Sequence, residues 1–311
     1  MSRLAELVSR FPVRKKEEQK EAFLRYAAGV MREMGYPVRI EENGRRGQQK
    51  NLVAGGPDTA RVIFTAHYDT PANMVLPNLM LPRNLPLFSL YQIGVVLILL
   101  VIALAPAFGV FSLTKDRRLM MLAFLAAYYA LLLLLIMGPA NKHNVNDNTS
   151  GVAAVMQLMA LLHEEERQRA AFILFDNEEK GMQGSKAFAL QHEHVKKDAL
   201  VVNLDCVRVG DHLVVVAKNY ARPMAEYALL EESLTPGEGI IPHFYPAASS
   251  VMNSDHKSFR RGVGIAACNR RPLVGFYVGG IHTRRDTRAE ERNINYLAQR
   301  LAAFVKALAE V

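Results

Sequence analysis

Two long apolar runs dominate the pattern of hydrophobic and polar positions. Residues 84–114 form 31 consecutive uncharged positions and residues 119–141 form another 23, separated only by the four residues "KDRR". A helix that crosses a membrane needs about 20 apolar residues, and four residues suffice for a tight turn. The pattern predicts a helical hairpin at 84–141, with helices at about 87–113 and 119–138. This hairpin interrupts a domain formed by residues 1–83 and 142–311.

A helix that is apolar around its whole circumference needs apolar surroundings on every side. A membrane hairpin is therefore favoured over a buried hairpin in the core of a soluble protein. Both hairpin ends emerge on one side, and the charged N-terminus, which includes Glu6, lacks the apolar segment of a secretory signal. We expect an integral membrane protein that crosses the cell membrane twice, with the domain outside the hairpin on the cytoplasmic face. Small residues four apart, such as Ala105 and Gly109, make the hairpin a candidate surface for homo-oligomers.

The remaining sequence alternates strand-like and helix-like segments. Apolar runs such as "RVIFTAHYD", "RAAFILFDNEE" and "ALVVNLDCVRV" have the length and composition of buried strands, and amphipathic segments lie between them. Alternation of this kind predicts a three-layer α/β/α domain with a mixed, largely parallel central sheet. In such sheets ligands bind where parallel strands end.

The net charge of +8 raises the question of a nucleic-acid partner. The basic residues come in scattered pairs, such as Arg260/Arg261 and Arg270/Arg271, without a nucleic-acid-binding motif around them. We therefore expect no nucleic acid partner. The pairs are interpreted as a solvated basic face that can lie against anionic lipid headgroups of the bilayer.

Several predicted strands end in metal-binding residue types. His67 and Asp69, two apart at one strand end, face the same way, so the carboxylate can orient the imidazole. Alone, the pair is equally compatible with an ordinary strand-end histidine.

The next candidates lie further along the chain. Glu178 and Glu179 are adjacent where a buried strand emerges. Because neighbouring carboxylates repel each other, this suggests a nearby cation or a raised pKa for one of the two. Asp205 ends another strand, and His282 follows a third. Asp147 precedes a helix and is by itself readily explained as a turn or capping residue. Together these residues suit zinc or another divalent ion.

Six motifs in order make a more specific case. The series "AHYDT", "DNTSG", "NEEKGMQGS", "NLD", "SDHKSF" and "IHTRRDT" resembles the two-zinc aminopeptidase family, metallopeptidase family twenty-eight, which also includes glutaminyl cyclases and glutamate carboxypeptidases. The resemblance extends over the chain outside the hairpin. It implies the three-layer zinc-peptidase fold and two divalent metal ions, zinc, in each chain.

The resemblance also implies individual roles. Asp147 would bridge the two ions, with His67 and Asp205 completing one site and Glu179 and His282 the other. Asp69 would orient His67, and Glu178 would be the general base that activates the attacking water. The peptide bond from Asp147 to Asn148 would be cis.

Asp255 and His256 compete for a ligand role. We interpret Ser254 or Asp255 as the cap of a short helical turn and His256 as a nearby pocket or packing residue.

The expected function is a membrane-anchored metallo-aminopeptidase that hydrolyses peptide bonds and releases N-terminal residues, from peptides that include hydrophobic or membrane-derived ones. A carboxypeptidase, a dipeptidase or a glutaminyl cyclase would use the same metal ligands. A catalytically inactive membrane-bound binding protein is the alternative outside enzymes.

Overall fold

The computed structural model describes residues 2–43, 49–74, 76, 78–288 and 291–310. Within this part of the chain one ten-stranded mixed sheet forms the centre of the domain. Its strands are β1 (Val38–Asn43), β2 (Gln49–Ala54), β3 (Val62–His67), β4 (Asn78–Met80), β5 (Ala170–Phe175), β6 (Leu200–Leu204), β7 (His212–Ala217), β8 (Ile241–Pro246), β9 (Gly262–Arg271) and β10 (Gly275–Ile281).

Four adjacent strands at the centre of the sheet run parallel, in the order β5, β3, β6, β9. β2 joins β5 antiparallel at one side, and β1 pairs antiparallel with β2. Beyond β9, β7 pairs antiparallel with it and β8 runs parallel to β7, while β10 returns antiparallel and carries β4. The largely parallel central sheet is therefore confirmed.

Helices cover both faces of the sheet. They are α1 (Arg3–Arg10), α2 (Glu17–Glu33), α3 (Leu85–Thr114), α4 (Arg117–Met137), α5 (Ser150–Leu161), α6 (Glu164–Arg167), α7 (Gln183–Gln191), α8 (Glu193–Asp198), α9 (Ala225–Ser233) and α10 (Arg292–Ala307). Side chains of α1, α2, α5, α9 and α10 pack on the face that carries Phe64. Side chains of α7 and α8 pack on the opposite face, with Ile63. Successive β3 residues thus enter two apolar layers, as the period of a strand requires.

The predicted hairpin is present as α3 and α4, with Lys115 and Asp116 between them. Both helices are long and apolar enough to cross a membrane, and little of either is buried by the rest of the chain. They are therefore not core helices of the domain. The α3 residues buried most deeply are Leu99, Ala103 and Ala107. Ala105 and Gly109, the small residues singled out in the sequence, remain exposed.

The helix ends differ slightly from the prediction for a local reason. The side chain of Asn84 accepts a hydrogen bond from the N–H of Leu87, so α3 begins at Leu85. The side chain of Asp116 accepts from the N–H groups of Arg118 and Leu119, which lets α4 begin inside the charged turn. Capping of free N–H groups sets both starts.

Candidate metal centre

Three of the parallel strands deliver their residues to the same edge of the sheet. β3 ends at His67, Glu178 and Glu179 follow β5, and Asp205 follows β6. Because β5, β3 and β6 are neighbours in parallel register, their carboxyl ends meet. This edge lies on one side of a cavity of about 320 Å³, lined by polar and apolar residues. The site therefore lies where the sequence predicts a ligand site, at the carboxyl ends of parallel strands.

Asp147 reaches this edge from an irregular turn, Val145–Thr149, between α4 and α5. The carboxylate of Asp286 holds the turn, accepting hydrogen bonds from the backbone N–H groups of Asn146 at 2.8 Å and Asp147 at 3.0 Å. The peptide bond from Asp147 to Asn148 is cis, as the family resemblance implies. The carboxylate of Asp147 lies between His67 and His282.

Each oxygen of Asp147 faces a different imidazole. Its Oδ1 lies 3.4 Å from Nε2 of His67, and its Oδ2 lies 2.9 Å from Nε2 of His282. Asp205 Oδ1 lies 3.7 Å from the same His67 nitrogen, and Glu179 Oε2 lies 3.4 Å from the His282 nitrogen. The five side chains form two three-residue donor groups that share Asp147.

The spacing of these atoms suits zinc. Zinc bonds to nitrogen and oxygen of about 2.0–2.1 Å place neighbouring donors of a tetrahedral site about 3.3 Å apart. The distances above lie close to this value, and the donors are imidazole and carboxylate, which zinc accepts. Glu179 Oε1 and Asp205 Oδ1 are buried without a hydrogen-bond partner among the described residues. The residues therefore fit two divalent ions.

Asp69 links His67 to the Glu178–Glu179 turn. Its Oδ1 lies 3.5 Å from Nδ1 of His67, on the side of the ring that faces away from Asp147. Its two oxygens also accept hydrogen bonds from the backbone N–H groups of Glu178 and Glu179, at 3.0 and 3.2 Å. Asp69 thus positions two candidate ligands and the candidate base.

Burial and mutual repulsion shape the electrostatics of the site. Burial raises the pKa of Glu179 to about 8, although His282 opposes the shift. Burial also raises the pKa of Glu178 well above its ordinary value, against the attraction of His67. Burial alone would lower the pKa of His282, but Glu179 and Asp147 outweigh it and raise that pKa to about 9. Such a concentration of carboxylates favours a cation at the site.

Sequence reasoning missed the environment of Asp255. Ser254 makes no capping hydrogen bond, and its hydroxyl accepts one from Asn203 instead. Asp255 is completely buried, its oxygens have no hydrogen-bond partner in the described part of the chain, and its charge acts on Glu178. Burial raises the pKa of Asp255 to about 7. Asp255 is thus part of the electrostatic surroundings of the site. His256 is also completely buried.

Arg14 is the second residue that the sequence did not indicate. Its guanidinium is buried and donates hydrogen bonds to the carbonyl of Tyr68, to Asn144 Oδ1 at 3.2 Å and to Thr149 Oγ1 at 2.9 Å. Its backbone N–H donates to Thr70 Oγ1. Arg14 therefore joins the strand end that carries His67 to the turn that carries Asp147.

Replacing Arg14 should destabilise the domain strongly. Arg14→Met leaves buried acceptors unpaired, so we expect a loss of about 3 kcal/mol or more in the free energy of unfolding. Thermal unfolding of the purified chain should show a midpoint lower by about 6–12 °C. Arg10→Met is the matched control, because Arg10 is exposed and forms a surface ion pair with Glu6. Equal midpoints for the two variants would contradict the bridging role of Arg14.

Comparison with solved structures identifies the fold. The Legionella pneumophila LapA aminopeptidase superposes with a TM-score of 0.60 at 14% identity, covering 99% of this chain and 70% of that one. The Porphyromonas gingivalis glutaminyl cyclase gives a TM-score of 0.58 at 15% identity, covering 99% and 95%. A Zn-dependent exopeptidase from Parabacteroides distasonis gives 0.57 at 17% identity, covering 98% and 94%. At sequence identities of 14–17%, these similarities establish the fold and not the activity.

Comparison at the level of sequence identifies the family. No curated protein matches the chain. The sequence profile of peptidase family M28 matches residues 119–305, a range that contains Asp147, Glu178, Glu179, Asp205 and His282. Because this match covers more than half of the sequence, the chain belongs to peptidase family M28.

Proposed function

We propose that the protein is a membrane-anchored aminopeptidase with two zinc ions in each chain. His67, Asp147 and Asp205 would hold one ion, and Asp147, Glu179 and His282 the other. The observation that carries the proposal is the placement of Asp147, which directs one oxygen toward each histidine. Membership of a peptidase family and a Zn-dependent exopeptidase among the structural relatives support both the reaction and the metal.

The chain supplies a proton carrier beside the donor groups. Bound zinc ions would polarise the peptide carbonyl and lower the pKa of a water molecule. Glu178 lines the cavity and follows β5, and burial raises its pKa. A carboxylate with a raised pKa accepts a proton near neutral pH and returns it to the leaving amine. Asp69 holds the backbone of Glu178, which fixes where that proton is transferred.

The helix lengths support a position at the bilayer surface. α4 has 21 residues, a length of about 32 Å that matches a hydrocarbon core of about 30 Å. α3 is nine residues longer. Because a two-residue turn joins the helices, the extra length lies at the start of α3, beside the domain. Residues 1–83 and 142–311 would form one discontinuous peptidase domain on the cytoplasmic face, with 84–141 as its anchor.

The start of α3 forms part of the cavity wall. Phe88 and Gln92 line the same cavity as Asp147 and Glu178. Met80 of β4 and Ile281 of β10 add apolar surface nearby. The cavity would therefore open within the headgroup layer, and its apolar wall suits hydrophobic or membrane-derived peptides.

A variant of α3 tests this substrate preference. Phe88→Ala removes apolar surface from the cavity, so we expect kcat/KM for a peptide with a hydrophobic N-terminal residue to fall about 10-fold. Polar peptides should be affected little. Phe108→Ala is the matched control, because Phe108 lies on the same helix, is 58% exposed and is absent from the cavity lining. Replacing residues 84–141 by a short loop should also weaken the preference; an unchanged preference would leave the hairpin as an anchor only.

A peptide panel distinguishes the related reactions. Peptides with free N-termini should lose one residue at a time from that end, whereas N-acetylated copies should persist. Cleavage of the blocked peptides alone would contradict the aminopeptidase proposal and support a carboxypeptidase. The panel includes a peptide with N-terminal glutamine, because a glutaminyl cyclase is among the structural relatives. Ammonia release without hydrolysis would identify a cyclase.

A binding protein without catalysis is the remaining alternative. Inactive relatives of an enzyme typically lose ligands or the base, but both donor groups are complete here and Glu178 lines the cavity. The arrangement of the described residues therefore favours catalysis.

A further inference from the structure

A second cavity lies beside the start of α3, outside the candidate metal centre. Its volume is about 620 Å³, and its basic wall comes from Arg83, Arg270 and Arg271, with His212 beside them. In the described part of the chain these three arginines form no ion pair with a carboxylate. The nearby Asp211 pairs with Arg292 instead. The cavity is therefore a concentration of positive charge without an internal counterion, which favours an anionic ligand.

The arginines are held in place by aromatic rings. The guanidinium of Arg83 lies 4.0 Å from the ring centre of Tyr245 and donates to Ser249. Arg270 and Arg271 lie over Phe276 and Tyr277, at 5.2 and 5.5 Å. Guanidinium groups stacked in this way keep N–H donors free for the oxygens of a phosphate. The cavity therefore suits a phosphate group.

The same cavity is fixed to the first turn of the apolar hairpin. Asn84 precedes α3, and its side-chain amide donates to the carbonyls of Leu273 and Val274 in the turn between β9 and β10. Leu273 at this turn is 99% exposed. A fully exposed leucine that follows a pair of arginines by two residues is typical of a surface that enters the interfacial region of a bilayer. The start of α3 places this turn at the height of the lipid headgroups.

We propose that this cavity binds the phosphate group of an anionic phospholipid in the leaflet that contacts the domain. Arg83 and Arg270, which stack on the neighbouring rings of Tyr245 and Phe276, contact the phosphate. Arg271 adds positive charge at the rim of the cavity, and Leu273 inserts among the acyl chains. Bound lipid would hold the domain close to the bilayer and the substrate cavity in the headgroup layer. The proposal rests on the membrane placement of the hairpin but not on peptidase activity, so the two can fail separately.

Lipid retention by the purified full-length chain tests the site. The detergent-solubilised protein is incubated with equal amounts of phosphatidylglycerol and phosphatidylcholine, and retained lipids are counted by native mass spectrometry. Wild type should retain phosphatidylglycerol preferentially. Because each arginine near a membrane surface contributes about 1 kcal/mol, Arg270→Gln with Arg271→Gln should weaken that retention about 30-fold. Equal retention of the two lipids by wild type, or undiminished retention by the variant, would overturn the proposal.

The control pair is Arg222→Gln with Lys306→Gln. Both residues are exposed, and replacing them removes the same net charge as replacing Arg270 and Arg271. Arg222 precedes α9 and Lys306 lies near the end of α10, close to the amino ends of the parallel strands and therefore far from α3. This pair should retain phosphatidylglycerol as wild type does. If the control pair lost as much phosphatidylglycerol retention as the Arg270/Arg271 variant, net charge alone would explain the effect, and a defined site would be contradicted.

Two further experiments distinguish a phospholipid from a free phosphate compound as the ligand. Leu273→Ser should weaken retention of phosphatidylglycerol, because the acyl-chain contact is lost, without lowering the thermal midpoint. Soluble glycerol phosphate should not displace the lipid at millimolar concentration. Displacement by glycerol phosphate together with unchanged retention by Leu273→Ser would show a site for free phosphate, and the lipid proposal would be wrong.

Discussion

Glu178→Gln is expected to lower peptide hydrolysis by about 10³-fold while the protein keeps its metal ions. Glutamine preserves the shape of the side chain and the backbone hydrogen bond to Asp69, but it cannot accept a proton. Hydrolysis should therefore fail at the proton transfer, with substrate affinity little changed. Steady-state kinetics and metal content, measured on the same preparation, check both parts of the prediction.

The experiment also separates two roles for Glu178. Its carboxylate lies close enough to His67 and Glu179 to form a third possible donor group with them. If Glu178 is a ligand, the glutamine variant should lose metal together with activity. Glu165→Gln, at an exposed position on α6, is the control and should keep full activity. Full activity of Glu178→Gln would show that another group moves the proton.

Asp147→Asn should release both metal ions, a larger effect than the loss of any other single ligand. Asp147 is the one residue that belongs to both the His67–Asp205 group and the His282–Glu179 group. Changes behind a metal ligand already weaken metal binding about 10- to 100-fold, so loss of a shared ligand should weaken both sites by at least about 100-fold. Activity should fall below detection.

The contrast with Asp205→Asn makes this prediction specific. Asp205 contacts His67 but is absent from the group of His282. Asp205→Asn should therefore release one ion and keep the other. Metal analysis after dialysis measures both variants under the same conditions. An Asp147→Asn protein that retains one ion as tightly as wild type would contradict the bridging role.

The parts of the site that lie on strands were predictable because strand ends obey a local rule. His67, Glu178, Glu179 and Asp205 each follow an apolar run, and parallel neighbours bring such ends together. Asp147 does not obey that rule, because its turn looks like an ordinary helix cap in the sequence. Only the order of motifs indicated a bridging role for it.

The support around the site was not predictable from local patterns. Arg14 lies 130 residues before Asn144 along the chain, and Asp286 lies 139 residues after Asp147. Local hydrophobic periodicity cannot predict contacts between residues so far apart in the sequence. Arg14 lies in a basic N-terminal segment whose composition is typical of solvent-exposed sequence, yet its guanidinium is buried. The sequence predicts a cap at Ser254 or Asp255, because serine and aspartate before a short turn usually are caps.

Short elements were also missed. β4 has three residues and pairs with β10, which places Met80 in the cavity wall. A three-residue run is too short for alternation to distinguish it from a loop. The long hairpin, in contrast, was predicted almost to its ends, because its apolar pattern extends over many turns.

The metal content of the purified chain tests the central claim most directly. The full-length protein is purified in mild detergent without added metal or chelator, and zinc is measured per chain together with hydrolysis of a peptide with a free N-terminus. We predict two zinc ions per chain, loss of hydrolysis when a chelator removes them, and its return when zinc is restored. Fewer than one tightly bound divalent ion per chain, or hydrolysis that persists after the metal is removed, would contradict the account.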